Sequence, residues 1–320
     1  MYTLGVDLGG TNIAIGLCND NLQIIDKGSV PTHAARDAEL IIKDMASLAE
    51  KILQRNGLCA KDVHSVGIAT PGTVNPELGI VESAYNLPFV NFKIAETLKK
   101  YLPVSRILVA NDANAAALGE AMAGAAKGTK SSVMITLGTG VGGGVIIDGK
   151  IFAGGLNASG TELGHTVIVS GGRQCSCGRR GCWEAYSSAT ALSALTREKM
   201  YELKIKGIPS LLFEEEAKDG KVTARTAFNA MKRGDEYASQ IVNEYIGYLA
   251  EGITNMINIF QPEVLSIGGG ICNEKEYLTV PLIRIVERDQ FTRRNAKKTK
   301  IVTAILGNDA GIIGAAGLGR

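Results

Sequence analysis

Near the amino terminus, short apolar runs alternate with polar turns: residues 3–7, 12–18 and 22–29 are separated by Leu8-Gly9-Gly10-Thr11 and Asn19-Asp20. Runs of this length, bounded by such residues, predict strand, glycine turn, strand, polar turn, strand. The layout returns 129 residues later, where Asp7-Leu8-Gly9-Gly10 falls on Thr136-Leu137-Gly138-Thr139 and Asn19-Asp20 on Asp148-Gly149. Two matched turns with apolar runs between them favour a duplicated unit over chance similarity of glycine-rich text.

Helical periodicity follows the first unit over 38–54. After the second unit, a stretch rich in glycine and cysteine precedes helical segments at 189–203 and 237–260, and then an apolar strand at 263–267. Two further helices, Ala113–Gly124 and Ala310–Gly319, consist almost wholly of small residues and open with Asn111-Asp112 and Asn308-Asp309. Asn or Asp at a helix start accepts hydrogen bonds from free amides, so capping accounts for all four. Small-residue faces let helices approach closely. The pair is therefore expected to cross at a hinge, with the carboxyl terminus packed on the first lobe. The expected class is α/β with two lobes around a cleft: residues 1–118 plus 304–320 form a small lobe, and 119–303 form a large lobe carrying the cysteine-rich insertion.

Length supports two lobes, because 320 residues exceed the usual single core. A net charge of +2, with both signs interspersed, offers no broad basic face for nucleic acid. No uncharged apolar stretch reaches the roughly 18 residues of a membrane span, so no membrane partner is expected. The first residues lack a signal-peptide pattern, and a cytoplasmic protein is expected. In that reducing compartment the six cysteines are poor disulfide candidates.

The chemistry begins at the glycine turns. In Asp7-Leu8-Gly9-Gly10-Thr11-Asn12 the glycines let backbone approach an anion, Thr11 and amides can donate to phosphate oxygens, and Asp7 at a strand end can hold hydrated Mg²⁺. Gly138-Thr139-Gly140 repeats the arrangement. One such turn is an ordinary hairpin, whereas a matched pair points to a phosphate clamp on ATP, as in the actin-like ATPase (ribonuclease H-like) fold. Neither the P-loop pattern nor a dinucleotide fingerprint occurs. A third cluster, Gly268-Gly269-Gly270, follows a strand and is a candidate to admit adenosine against bare backbone.

His165 and the run Cys175-Ser176-Cys177-Gly178-Arg179-Arg180-Gly181-Cys182 supply one imidazole and three thiolates, the complement of a closed tetrahedral Zn²⁺ site. Redox-active or merely buried thiols are the competing reading. Glu162 and Glu184 flank these ligands and would be held by the same knot; otherwise they are solvent-exposed glutamates.

The motifs Asp7-Leu8-Gly9-Gly10-Thr11, Asn111-Asp112-Ala113-Asn114, Leu137-Gly138-Thr139-Gly140, Glu162-Leu163-Gly164-His165 and Cys175-x-Cys177-Gly178-x-x-Gly181-Cys182-x-Glu184 together resemble the ROK family of repressors and sugar kinases, and within it the bacterial glucokinases. The resemblance implies that Asp112 is a catalytic base. It implies that Gly72, Asn111, Asp112, Glu162, His165 and Glu184 contact a hexose, glucose above all, and that the protein is a homodimer. It leaves open an N-acetylhexosamine kinase, polyphosphate as donor, and a non-catalytic sugar-responsive repressor. Against the repressor stand the intact hairpins and the six residues before Asp7, too few for a DNA-binding domain.

Overall fold

Strand β1 (Tyr2–Leu8) pairs antiparallel with β2 (Asn12–Cys18), which pairs antiparallel with β3 (Ile24–Pro31). Leu4, Val6 and Leu8 of β1 and Ile13, Ile15 and Leu17 of β2 are buried, while β3 alternates exposed and half-buried positions as an edge strand does. Helix α1 (Ala38–Arg55) begins at Asp37, whose side chain accepts from the Glu39 amide, and sends Ile41, Ile42, Met45 and Ile52 into the core. The chain continues into β4 (Val63–Thr70), parallel to β1. A small antiparallel sheet follows, made of β5 (Thr73–Asn75), β6 (Ile80–Ser83) and β7 (Val90–Phe92). Helix α2 (Ile94–Tyr101) then leads to β8 (Ile107–Asn111), parallel to β4, and α3 (Asp112–Ala123). The main sheet order is β3-β2-β1-β4-β8.

The second half repeats this plan. Strands β9 (Ser132–Leu137), β10 (Val141–Ile147) and β11 (Lys150–Phe152) form the second meander, and β10 covers the positions that an offset of 129 residues predicts from β2. A run of helices follows: α4 (Glu184–Ser187), α5 (Ala189–Lys206), α6 (Leu211–Asp219), α7 (Ala224–Lys232) and α8 (Glu236–Phe260). Strand β12 (Val264–Gly268), helix α9 (Glu276–Asp289), strand β13 (Lys300–Thr303) and helix α10 (Ala310–Gly317) complete the chain. The sheet order β11-β10-β9-β12-β13 is that of the first sheet, element for element.

The computed structural model describes residues 1–156 and 158–320, which form two compact units: 1–134, 144–161 and 304–320 in one, 135–143 and 162–303 in the other. Residues 119–134 and 144–161, assigned above to the large lobe, belong to the first unit. A division at 118 would cut through the continuous helix α3. Among the described residues no helix is long and apolar enough to cross a membrane.

Within the first unit α10 packs on α3, β1 and β4 at backbone contact. A Cβ at Gly67 would fall 1.8 Å from the Ala315 carbonyl oxygen, and one at Gly314 would fall 1.7 Å from that of Ala115. The small-residue composition of both helices follows from this approach distance. Asn111 caps α3, as the sequence suggests, accepting from the Ala113 and Asn114 amides. Asp309 does not cap α10. A 3₁₀ turn over Gly307–Asp309 leads into that helix, and the Asp309 carboxylate instead pairs with Lys27 at 2.9 Å.

Candidate active site

In the first unit, Asp7 is the last residue but one of β1, and the turn to β2 closes through the Gly9 amide donating to the Asn12 carbonyl at 2.9 Å. Thr32, the residue after β3, secures this turn, its hydroxyl donating to the Gly9 carbonyl at 2.6 Å and its amide to that of Thr11 at 2.8 Å. Gly10 is half-buried, while Thr11 and Asn12 are exposed, which leaves the loop's donors open to an incoming anion.

At the end of β4, Gly72 adopts φ +98, and a Cβ there would fall 2.1 Å from the Ser83 carbonyl oxygen, so only glycine passes. Its carbonyl accepts from Asn111 Nδ2 at 3.2 Å. Asp112 follows, its Oδ1 accepting from the Ala113 amide at 2.9 Å. Asp112 keeps solvent contact but lies in a dense surround, and desolvation holds its carboxyl above the ordinary carboxylate range although local hydrogen bonds oppose this. Asp7 is pushed up to about 6, first by burial and then by the negative charge of Asp112. Gly72, Asn111 and Asp112 thus form one corner, and Asp7 is close enough to feel its charge.

In the second unit, the β9–β10 turn carries Gly138, Thr139 and Gly140, closed by the Gly138 amide donating to the Gly140 carbonyl at 3.0 Å. Gly269, at φ +99, lets the loop after β12 pass this turn; a Cβ there would fall 2.1 Å from the Leu137 carbonyl oxygen. Of the third glycine cluster, Gly268 is buried at the end of β12, and Gly270 lines a cavity of about 320 Å³ together with Gly138, Thr139, Arg225, Phe228 and Asn273. Arg225 and Phe228 escape a reading of the sequence because α7 carries an ordinary amphipathic pattern, and Asn273 because it sits in the short 3₁₀ turn Gly270–Glu274, which carries no motif.

The four ligand atoms of His165, Cys175, Cys177 and Cys182 lie within 4.8 Å of one another. His165 Nδ1 is 3.6 Å from Cys175 Sγ, and the sulfurs of Cys177 and Cys182 are 3.7 Å apart. Tetrahedral zinc, with Zn–S about 2.3 Å and Zn–N about 2.1 Å, spaces two sulfurs by about 3.8 Å and a sulfur and nitrogen by about 3.6 Å. The donor set therefore fits that ion. Gly181, at φ +85, makes the fold-back possible, since a Cβ there would come within 1.8 Å of the Val169 carbonyl oxygen. Burial pushes the Cys182 thiol up to about 12, so a bound dication must displace its proton. Trp183, fully buried, anchors the knot to α8 by donating from Nε1 to the Tyr248 carbonyl at 3.2 Å.

Glu162 is exposed just ahead of the 3₁₀ turn Leu163–His165, and its carbonyl accepts from the His165 amide at 3.0 Å. Glu184 is half-buried and turned toward the phosphate hairpin: Oε2 accepts from the Val141 amide at 3.0 Å, and Oε1 accepts from Ser176 Oγ at 3.0 Å. Neither Ser176 nor Val141 stands out in the sequence.

Three comparisons place this arrangement among known proteins. The ROK family matches residues 3–320. Glucokinase from Halalkalibacterium halodurans is 35% identical over 314 residues, covering 98% of this chain and 93% of the relative. The ROK hexokinase of Thermus thermophilus superposes with a TM-score of 0.82 at 31% identity, covering 99% of this chain and 97% of that one. A ROK glucokinase from Streptomyces griseus, solved in complex with glucose and AMPPNP, has a TM-score of 0.78 at 30% identity over 99% of both chains. The duplicated meanders, the matched glycine turns and these full-length similarities lead to one conclusion: the chain belongs to the ROK family and has the actin-like ATPase fold.

Proposed function

We propose that this chain transfers the γ-phosphoryl group of ATP to the 6-hydroxyl of a hexose, glucose in the first place, with Asp112 as general base. The observation that carries the reading is the Gly72–Asn111–Asp112 corner, where a carboxylate fixed by the Ala113 amide is held above its ordinary range. A base raised toward the working pH accepts a proton from an alcohol more readily than an ordinary carboxylate does. The acceptor oxygen gives its proton to Asp112 as its bond to phosphorus forms, and the bond to the bridging oxygen breaks with its electron pair leaving on ADP.

Gly9, Gly10, Thr11 and Asn12, and in the second unit Gly138, Thr139 and Gly140, supply amides and hydroxyls to the phosphates, and the cavity beside Gly270 takes the adenosine. The doubly anionic pair Asp7 and Asp112 suits Asp7 to Mg²⁺, which when bound neutralises phosphate charge. His165, Cys175, Cys177 and Cys182 would hold structural zinc. With Nδ1 of His165 turned toward the thiolates, Nε2–H remains to donate to a sugar hydroxyl, so one histidine can serve both roles. Glu162 and Glu184 complete the proposed hydroxyl ligands. Glucose is favoured by the named relatives.

A coupled ADP-release assay over glucose, mannose, fructose, allose, N-acetylglucosamine and N-acetylmannosamine tests the reading. Glucose is expected to give the highest kcat/KM, and Asp112→Asn to lower kcat roughly 10²- to 10⁴-fold with glucose binding intact. Preference for an N-acetylated sugar would overturn the glucose assignment. Near-normal turnover by the variant would overturn the base.

A further inference from the structure

Glu184 stands between the cysteine knot and the second phosphate hairpin, and both of its oxygens are engaged. Oε2 takes the Val141 amide at 3.0 Å and Oε1 takes the Ser176 hydroxyl at 3.0 Å. Ser176 is the middle residue of Cys175-Ser176-Cys177, so the two flanking ligands fix its backbone. Gly140 is shaped by the same contact: a Cβ there would fall 2.2 Å from Glu184 Oε2. On its other side the hairpin is held by the start of α5, where the Ala189 amide donates to the Gly138 carbonyl and Thr190 Oγ1 to the Thr139 carbonyl, each at 2.9 Å. The Glu184 tether differs from these two because it runs back to the side of the unit that carries the proposed sugar ligands.

We propose that Ser176 is a positioning residue: its hydroxyl fixes the Glu184 carboxylate, the carboxylate fixes the Val141 amide, and the phosphate-gripping turn is thereby set before nucleotide arrives. The inference rests on the sugar-kinase reading. An ionised carboxylate has about four acceptor sites. Cys175 Sγ also lies 3.7 Å from Oε1 but carries no proton as a zinc ligand, so a sugar hydroxyl can donate to Glu184 beside the Val141 amide and the Ser176 hydroxyl, and it restrains the carboxylate just as Ser176 does. Without the Ser176 hydroxyl, the nucleotide itself must bear the ordering of the turn, and its affinity falls. A bound sugar then restores it, and by linkage nucleotide raises sugar affinity by the same factor.

Calorimetric titration of zinc-loaded protein with AMP-PNP, with and without saturating glucose, reads this out. Ser176→Ala is expected to weaken sugar-free AMP-PNP binding on the order of fivefold, the effect of losing one solvent-exposed hydrogen bond, and glucose is expected to recover most of it. Ser176→Thr, which keeps the hydroxyl, should bind like the wild type. Gly140→Ala, whose methyl displaces Oε2, should be weakened with no recovery by glucose. Zinc content should match the wild type in all three, and each should unfold in a single cooperative transition. Equal sugar-free affinity of wild type and Ser176→Ala overturns the proposal, as does weakening accompanied by zinc loss or left unrescued by threonine. A wild-type protein that binds no AMP-PNP at all would instead refute the kinase reading.

Discussion

Asn111 joins two loops at once: its Nδ2 donates to the Gly72 carbonyl at 3.2 Å, while its Oδ1 accepts from the Ala113 amide at 2.9 Å at the start of α3. One side chain thus sets both the proposed backbone contact to sugar and the direction of the neighbouring Asp112. Asn111→Ala removes cap and donor together and should cost about 1 kcal/mol of stability as well as sugar affinity. Asn111→Ser keeps a capping oxygen and loses the Nδ2 donor without adding charge beside Asp112, so denaturant melts should return near to wild type while KM for glucose stays raised. Equal stability loss in both variants would show that the cap is not what Asn111 contributes.

Asp7 makes a pH-dependent prediction. Its folded pKa, about 6, lies above the ordinary value of 3.8, so the folded state holds the proton more tightly than the unfolded chain. Asp7 therefore costs nothing at pH 3, and the cost grows as pH rises from about 4 to about 6 and is complete above that. In metal-free, ligand-free protein at pH 7.5, Asp7→Asn should stabilise by about 1 to 2 kcal/mol, a figure discounted for partial exposure. The gain should shrink severalfold by pH 4, and the same variant should lose Mg²⁺-dependent turnover. Urea melts of both proteins at the two pH values check the sign.

The knot should contain one zinc per chain. Cys177→Ser removes a ligand whose sulfur lies 3.7 Å from that of Cys182, and metal analysis should then find less than full occupancy. Because the ligands gather residues 162–184 around Trp183, loss of the ion should also lower Tm and loosen Glu184. Unchanged zinc content and Tm would remove the site.

Glu120 is a buried carboxylate in α3 with three backbone donors: Ala125 at 2.7 Å, Ile305 at 3.0 Å and Leu306 at 2.8 Å. The last two lie just past residue 303, where the chain re-enters the first unit. Glu120→Ala strands all three amides and should cost about 2 to 4 kcal/mol in a chemical melt. Glu120→Gln keeps one acceptor oxygen and should fall between.

Residue type and spacing by themselves determined much of this protein. The offset of 129 residues, the two glycine turns and the ligand spacing of His165 to Cys182 are properties of local text, because turns, strand lengths and chelating runs are set within a few residues. They carried the duplicated architecture and the zinc complement. Tertiary structure alone decided which groups meet across long separations. It joined Gly72 to Asn111, gave Asp309 to Lys27 in place of a cap, and brought α7 and Asn273 to the cavity beside Thr139. It also closed the chain from Ser176 through Glu184 to Val141. Such contacts depend on how sheets and helices stack, where side-chain direction and approach distance select partners that no periodicity encodes.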